Sequence, residues 1–176
     1  EFAIVKKKRR EALMRMFTHV KNRISGIYKD LTRTEKWPNG GSASLSFNND
    51  NDEPYLDGIS YMPHPPGKRY RDFSECSGGE KAIGALALLF AVHSFCPAPF
   101  FVMDEIDANL DQGNRKRLVR YIRQRVDEDE NSFQAIIISL HPSFYSKADG
   151  LLGVFRDADT TMSTTRTFSL EKFRRK

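Results

Sequence analysis

The chain has only two cysteines in 176 residues, Cys76 and Cys96. Neither their number nor their spacing supports a disulfide framework or a cysteine metal site, so a reducing compartment is the expected setting. No succession of basic, apolar and small residues marks a secretory leader. The apolar run from Ala82 to Val92 is too short to cross a bilayer. The chain is therefore expected to be soluble and intracellular, with no membrane partner. Charge of one sign is also scarce: 28 Lys and Arg against 23 Asp and Glu leave +5. Such a balance is compatible with nucleic acid but does not indicate it. The acidic turn Asn48-Asn49-Asp50-Asn51-Asp52 lacks the spacing and closing Glu of an EF-hand, which leaves a solvated hairpin tip. Finally, the single Gly-Lys pair, Gly67-Lys68, fails as a phosphate loop. Met62 stands where its first Gly belongs, and Arg69 where Ser or Thr would hold magnesium. Without a P-loop the chain lacks the amides, Lys and hydroxyl that hold a triphosphate.

Set against these absences is one stretch, Ser77-Gly78-Gly79-Glu80-Lys81, running into the apolar Ala82 to Val92. Ser followed three residues later by Glu reads as a capping box that starts a helix. The helix is apolar on nearly every face and is expected to be buried. Gly78 and Gly79 leave its first amides uncovered, and such amides bind phosphate well, with the Ser77 hydroxyl as an added donor. An ordinary capped core helix with a flexible Gly-Gly entry fits the same five residues. The pattern gains meaning 27 residues after Ser77, where Pro99-Phe100-Phe101-Val102-Met103 ends in Asp104-Glu105. A run apolar at every position predicts a strand buried on both faces of a parallel sheet. Such sheets bind ligands beyond their carboxyl ends, where both acids stand.

Together the two segments resemble the signature motif and Walker B of ABC-type ATPases, and more narrowly those of SMC proteins. Asp104-Glu105-Ile106-Asp107-Ala108-Asn109-Leu110-Asp111 has the SMC form. Glu53-Pro54-Tyr55-Leu56-Asp57-Gly58-Ile59, Pro66-Gly67-Lys68-Arg69 and Leu86 to Ser94 narrow the likeness to the cohesin branch, subunit-one type. One departure is visible, Cys76 where the family usually has Leu before Ser77.

The resemblance implies an α/β fold: the carboxyl-terminal lobe of an ABC-type ATPase head with a parallel sheet core, plus a coiled-coil stub helix. Residues 1–31 would be the end of the stalk and 32–176 the lobe. It also implies ATP and Mg2+ as cofactors. Asp104 would hold magnesium through water, and Glu105 would orient or deprotonate the attacking water. Ser77, Gly78, Gly79 and Glu80 would serve the terminal phosphate of an ATP on the partner head, with Asn109 and Asp111 along the seam. The implied partners are the amino-terminal half of the same head, a cohesin subunit-three type head, the carboxyl-terminal winged-helix domain of the kleisin, and DNA through the assembled complex. The implied setting is the nucleus and chromosome. The rivals are a condensin-type SMC subunit, a transporter nucleotide-binding domain and a catalytically silent scaffold.

The remaining chain is consistent with this plan. Leu13, Phe17, Val20, Ile24, Ile27 and Leu31 repeat at coiled-coil spacing, which fails earlier at Lys6 and Arg10. A single amphipathic helix lying on the domain fits as well. Trp37 to Gly41 reads as a turn, with strands at Ser42 to Phe47 and Tyr55 to Tyr61. Asp111 can cap a helix whose apolar face is Leu118, Val119, Ile122 and Val126, and whose charged faces read as solvated. An acidic turn at Asp127 to Asn131 leads to an apolar strand, Phe133 to Leu140, giving a parallel crossover. ATPases of this class place a phosphate-sensing His after that strand. The resemblance makes His141 the candidate for that phosphate contact, although anchoring on Ser139 puts Leu140 at the position and His141 one later, on the opposite face. Leu151 to Arg156 and Thr164 to Leu170, separated by Asp157 to Thr161, read as a closing hairpin with an edge open to partners.

Overall fold

The computed structural model describes residues 1–49, 51–68, 73–127, 133–158 and 162–170. Its elements run α1 (Phe2–Thr32), β1 (Ser42–Phe47), β2 (Ile59–His64), a 3-10 turn (Phe73–Glu75), α2 (Gly78–His93), β3 (Phe100–Asp104), α3 (Gln112–Asp127), β4 (Gln134–Ile138), α4 (Pro142–Tyr145), β5 (Gly150–Arg156) and β6 (Ser163–Ser169). No helix among the described residues is long and apolar enough to cross a membrane.

The seam spacing of α1 has a clear outcome: Phe17, Val20, Ile24, Ile27 and Leu31 are buried, whereas Phe2, Ile4 and Val5 are exposed. The buried half packs with Ile83, Leu86, Ala87 and Phe90 of α2 and with Leu118 and Ile122 of α3 in one core. The helix stops at a crowded turn. The Thr32 hydroxyl donates to the Tyr28 carbonyl at 2.6 Å and accepts from the Gly41 amide at 2.8 Å. Gly40 takes φ +62°, and a Cβ there would lie 2.4 Å from the Lys29 carbonyl oxygen. Only glycine meets both conditions.

The exposed half of α1 explains why the seam fails. Lys6 Nζ lies 2.9 Å from Glu53 Oε2, and Arg10 Nη1 lies 3.0 Å from Asp52 Oδ1. The Arg9 guanidinium sits 4.0 Å from the centroid of the Tyr55 ring, and the Tyr55 hydroxyl donates to Glu53 at 2.6 Å. Hydrogen bonds from Tyr55 and Lys6 hold the Glu53 carboxyl below its ordinary range. The basic residues at the failed seam positions thus face an acidic loop. Asn48, Asn49, Asn51 and Asp52 of the expected solvated tip are exposed, Asp52 even while it pairs with Arg10; Asp50 lies outside the described residues.

β1 and β2 form an antiparallel pair, Ser42 opposite His64. The second strand starts later than expected because 54–57 form a turn and Gly58 bends the chain at φ +82°. β3 and β4 pair in parallel, from Phe100 with Gln134 to Asp104 with Ile138, as the strand-helix-strand pattern predicts. β5 and β6 form the closing hairpin. The acidic turn expected at Asp127 to Asn131 lies mostly in residues 128–132, and Asp159 to Thr161 in 159–161, outside the described residues.

Two burial expectations fail. β3 and β4 are covered on one face only: Met103 is 2% exposed, while Phe100 and Val102 are 53% and 51% exposed and Ile136 and Ile138 face outward with them. The described chain supplies a layer for one side of this pair through α2 and α3, and none for the other. In α2, Ala85 and Leu89 are likewise exposed. The charged faces of α3 are not all solvated either. Arg117 Nε donates to the Leu31 carbonyl at 3.3 Å, and its burial lowers the guanidinium pKa; Arg123 pairs with both Asp127 and Asp149.

Candidate functional site

The capping box forms as the sequence dictates. Ser77 is extended at φ −63°, ψ 159°; its amide donates to Glu80 Oε2 at 2.9 Å, and its hydroxyl accepts from the Glu80 amide at 3.4 Å. Lys68, the lysine of the failed phosphate loop, instead pairs with Glu80 Oε1 at 2.7 Å. Burial pushes the Glu80 carboxyl up, but hydrogen bonds from Lys68 and Ser77 outweigh it and hold the pKa below 4.5. A depressed folded-state pKa means that the charged cap stabilises the fold above about pH 4.5 and loses that effect as pH falls further. Glu80→Gln is expected to lower stability by about 0.5 kcal/mol at neutral pH, with the difference in urea midpoint closing at acid pH.

The two glycines differ. A Cβ on Gly78 would meet nothing within 4 Å, whereas one on Gly79 would sit 3.2 Å from the Asn109 carbonyl oxygen. A side chain at position 79 would crowd the Asn109 carbonyl, and one at position 78 would not. The tertiary fold therefore sets the start of α2 against the loop that follows the acids. Ser77 and Gly78 remain exposed, whereas the preceding Cys76 is buried, which raises its thiol pKa.

Asp104 closes the parallel ladder and Glu105 follows it; both are exposed. Among the described residues no hydrogen bond or ion pair engages either carboxylate. Among the described residues, Glu105 is the one non-glycine position with positive φ, at 45°. Its amide donates to the Ile138 carbonyl at 3.0 Å, which pins the turn to the end of β4. A bulky residue held in the left-handed region costs energy that its surroundings must offset. Asn109 and Asp111 are also exposed. Asp111 Oδ1 accepts from the Asn114 amide at 2.7 Å and so caps α3.

Asp104 fits magnesium on chemical grounds, because that ion is usually held by one or two carboxylates with water and phosphate completing the shell. No group of three or more His, Cys, Asp or Glu ligands occurs among the described residues.

Two positions after Glu105 lies a residue that motif reading passed over. Asp107 is 3% exposed and is the one buried charged residue among those described. Its Oδ2 accepts from the Ser139 hydroxyl at 2.8 Å and lies 3.9 Å from His141 Nε2. The His141 ring, itself partly exposed, lies beside this group with Nε2 3.3 Å from Arg115 Nη1, whereas Leu140 is 91% exposed. The signal available in sequence was a carboxylate between Ile106 and Ala108, with nothing to say that it turns inward.

Residues 5–163 match the family model described as the RecF/RecN/SMC N terminal domain. The chain is similar to structural maintenance of chromosomes protein 1 of Arabidopsis thaliana, with 46% identity over 96% of this chain and 14% of the relative. It thus spans about one seventh of that protein. A structure reported under ATP-driven dimerization and DNA stimulated activation of SMC ATPases superposes with a TM-score of 0.76 at 35% identity, covering 93% of this chain and 91% of that one. An SMC head bound to the C-winged helix domain of ScpA gives 0.79 at 35% identity, covering 96% of this chain and 48% of that one.

Proposed function

The chain belongs to the RecF/RecN/SMC family and has the fold of an ABC-type SMC head lobe, and from that membership we propose that it is the carboxyl-terminal half of a cohesin-type ATPase head. Residues 1–31 are then the root of the stalk and 32–176 the lobe. The observation that carries this reading is the state of the two motifs. Ser77 and Gly78 stand open at a helix start whose cap is complete, and Asp104 and Glu105 stand unengaged at the end of a parallel strand.

The residues then divide between two nucleotides. Asp104 would hold Mg2+ beside an ATP bound on this head, where the ion would neutralise phosphate charge. Glu105 orients the attacking water and takes its proton. The P-loop comes from the amino-terminal half of the head, and the uncovered face formed by Phe100, Val102, Ile136 and Ile138 is the apolar surface it would bury. Ser77, Gly78 and Gly79 cap the terminal phosphate of an ATP on a subunit-three type head, with Glu80 fixing Ser77. Asn109 and Asp111 lie along the seam. A phosphate contact from His141 would require its ring to leave Arg115. The exposed Leu152, Val154 and Phe168 of the β5–β6 hairpin suit the kleisin winged-helix domain. Assembled in this way, the head acts on chromosomal DNA in the nucleus.

Ser77→Arg tests the shared pocket. In the assembled two-head complex, ATP-dependent association of the heads is expected to weaken by at least about tenfold, while ATP binding to the mutated head persists. Unchanged association in sedimentation or mass photometry would overturn the assignment of Ser77 to a partner's nucleotide.

A further inference from the structure

Asp107 is buried, charged and unused by the mechanism above. A carboxylate held away from water is costly unless partners fix it, so its surroundings say what it serves. Those surroundings come from both sides of the site. The Ser139 hydroxyl donates to Asp107 Oδ2 at 2.8 Å, and Ser139 Oγ accepts in turn from the His141 amide at 3.0 Å. Ser139 thus transmits the position of Asp107 to the backbone that leaves β4. Arg115 Nη1 donates to the Leu110 carbonyl at 2.7 Å and meets His141 Nε2 at 3.3 Å. Because a guanidinium can only donate, Nε2 is the acceptor in that contact. Within the 105–110 loop, the Ala108 amide donates to the Glu105 carbonyl at 3.1 Å and the Leu110 amide to the Asp107 carbonyl at 3.0 Å.

The loop bearing Glu105 is therefore tied to the end of β4 at two points, by the Glu105 amide on Ile138 and by Asp107 on Ser139. The first tie holds a residue at φ 45°. A second tie two residues later fixes its orientation.

We propose that Asp107 is a positioning residue for the Glu105 carboxylate, acting through the Ser139 hydroxyl and without touching nucleotide. The inference rests on the ATPase reading of Glu105. Displacing a reacting group by about 1 Å can cost on the order of a hundredfold in rate. In the full-length protein assembled with its partner subunit, Asp107→Ala and Ser139→Ala are each expected to lower kcat by roughly tenfold to a hundredfold, with KM for ATP within about twofold. The double variant is expected to be no worse than the more impaired single one, because both remove one link. Asp107→Asn, which keeps an acceptor for Ser139, is expected to recover part of the loss. Amide exchange across 105–111 should quicken in Asp107→Ala while the thermal midpoint of the complex holds. Turnover within twofold of wild type in Ser139→Ala, additive losses in the double variant, or a rise in KM at constant kcat would each overturn the proposal. Glu105→Gln measured alongside separates the two failures: if it too leaves turnover intact, the ATPase reading has fallen rather than the positioning role alone.

Discussion

Glu105→Gln in the assembled two-subunit complex is expected to lower ATP turnover by roughly a hundredfold to ten-thousandfold, the range for removing a positioned general base. The substitution preserves size and leaves the Ile138 hydrogen bond untouched, because that bond uses the Glu105 amide. ATP binding and head association should therefore survive, and a filter-binding assay beside a phosphate-release assay checks both. Backbone strain offers a second control. Glu105 holds φ 45°, a region that glycine enters freely, so Glu105→Gly relieves the turn while removing the carboxylate. Both variants should lose turnover alike. Wild-type turnover in Glu105→Gln would rule out the water-activating role of Glu105, and loss in Gln with recovery in Gly would assign the effect to backbone geometry.

The second large effect concerns the packing of α1 on α2 and α3. Ile24 is fully buried in the core that α1 shares with α2 and α3. Truncation to Ala removes packed atoms and leaves a cavity that three rigid elements cannot easily close. A loss of about 2–5 kcal/mol in unfolding free energy is expected from urea titration. Met14, on the same helix but 37% exposed, is the comparison: its Ala variant should change stability by no more than about 0.5 kcal/mol. Equal effects at the two positions would mean that α1 is an independent arm.

That contrast along one helix shows how far sequence reaches. The three-and-four spacing from Phe17 to Leu31 identified α1 and its inward face, and the failed seam at Lys6 and Arg10 was visible too. What those two residues meet was not, because Glu53 lies 47 positions from Lys6 and Asp52 lies 42 from Arg10. Likewise Asp104 and Glu105 could be placed at a strand end from the apolar run before them. The same run gave the wrong answer on burial, since an unbroken apolar strand states what it requires and not whether this chain provides both layers.

Taken alone, the order of residues determined the caps, the helical and strand periods, the parallel crossover and the pairing of a glycine-entry helix with tandem acids. Each of these depends on groups within a few residues of one another, or on a crossover whose hand is fixed by chirality. Tertiary structure alone decided that Gly79 meets the Asn109 carbonyl while Gly78 stays open, and that Asp107 turns inward to Ser139, 32 residues away. Those outcomes belong to packing. Which carboxylate is buried and which is exposed depends on what distant segments bring to its side, and no local pattern carries that information.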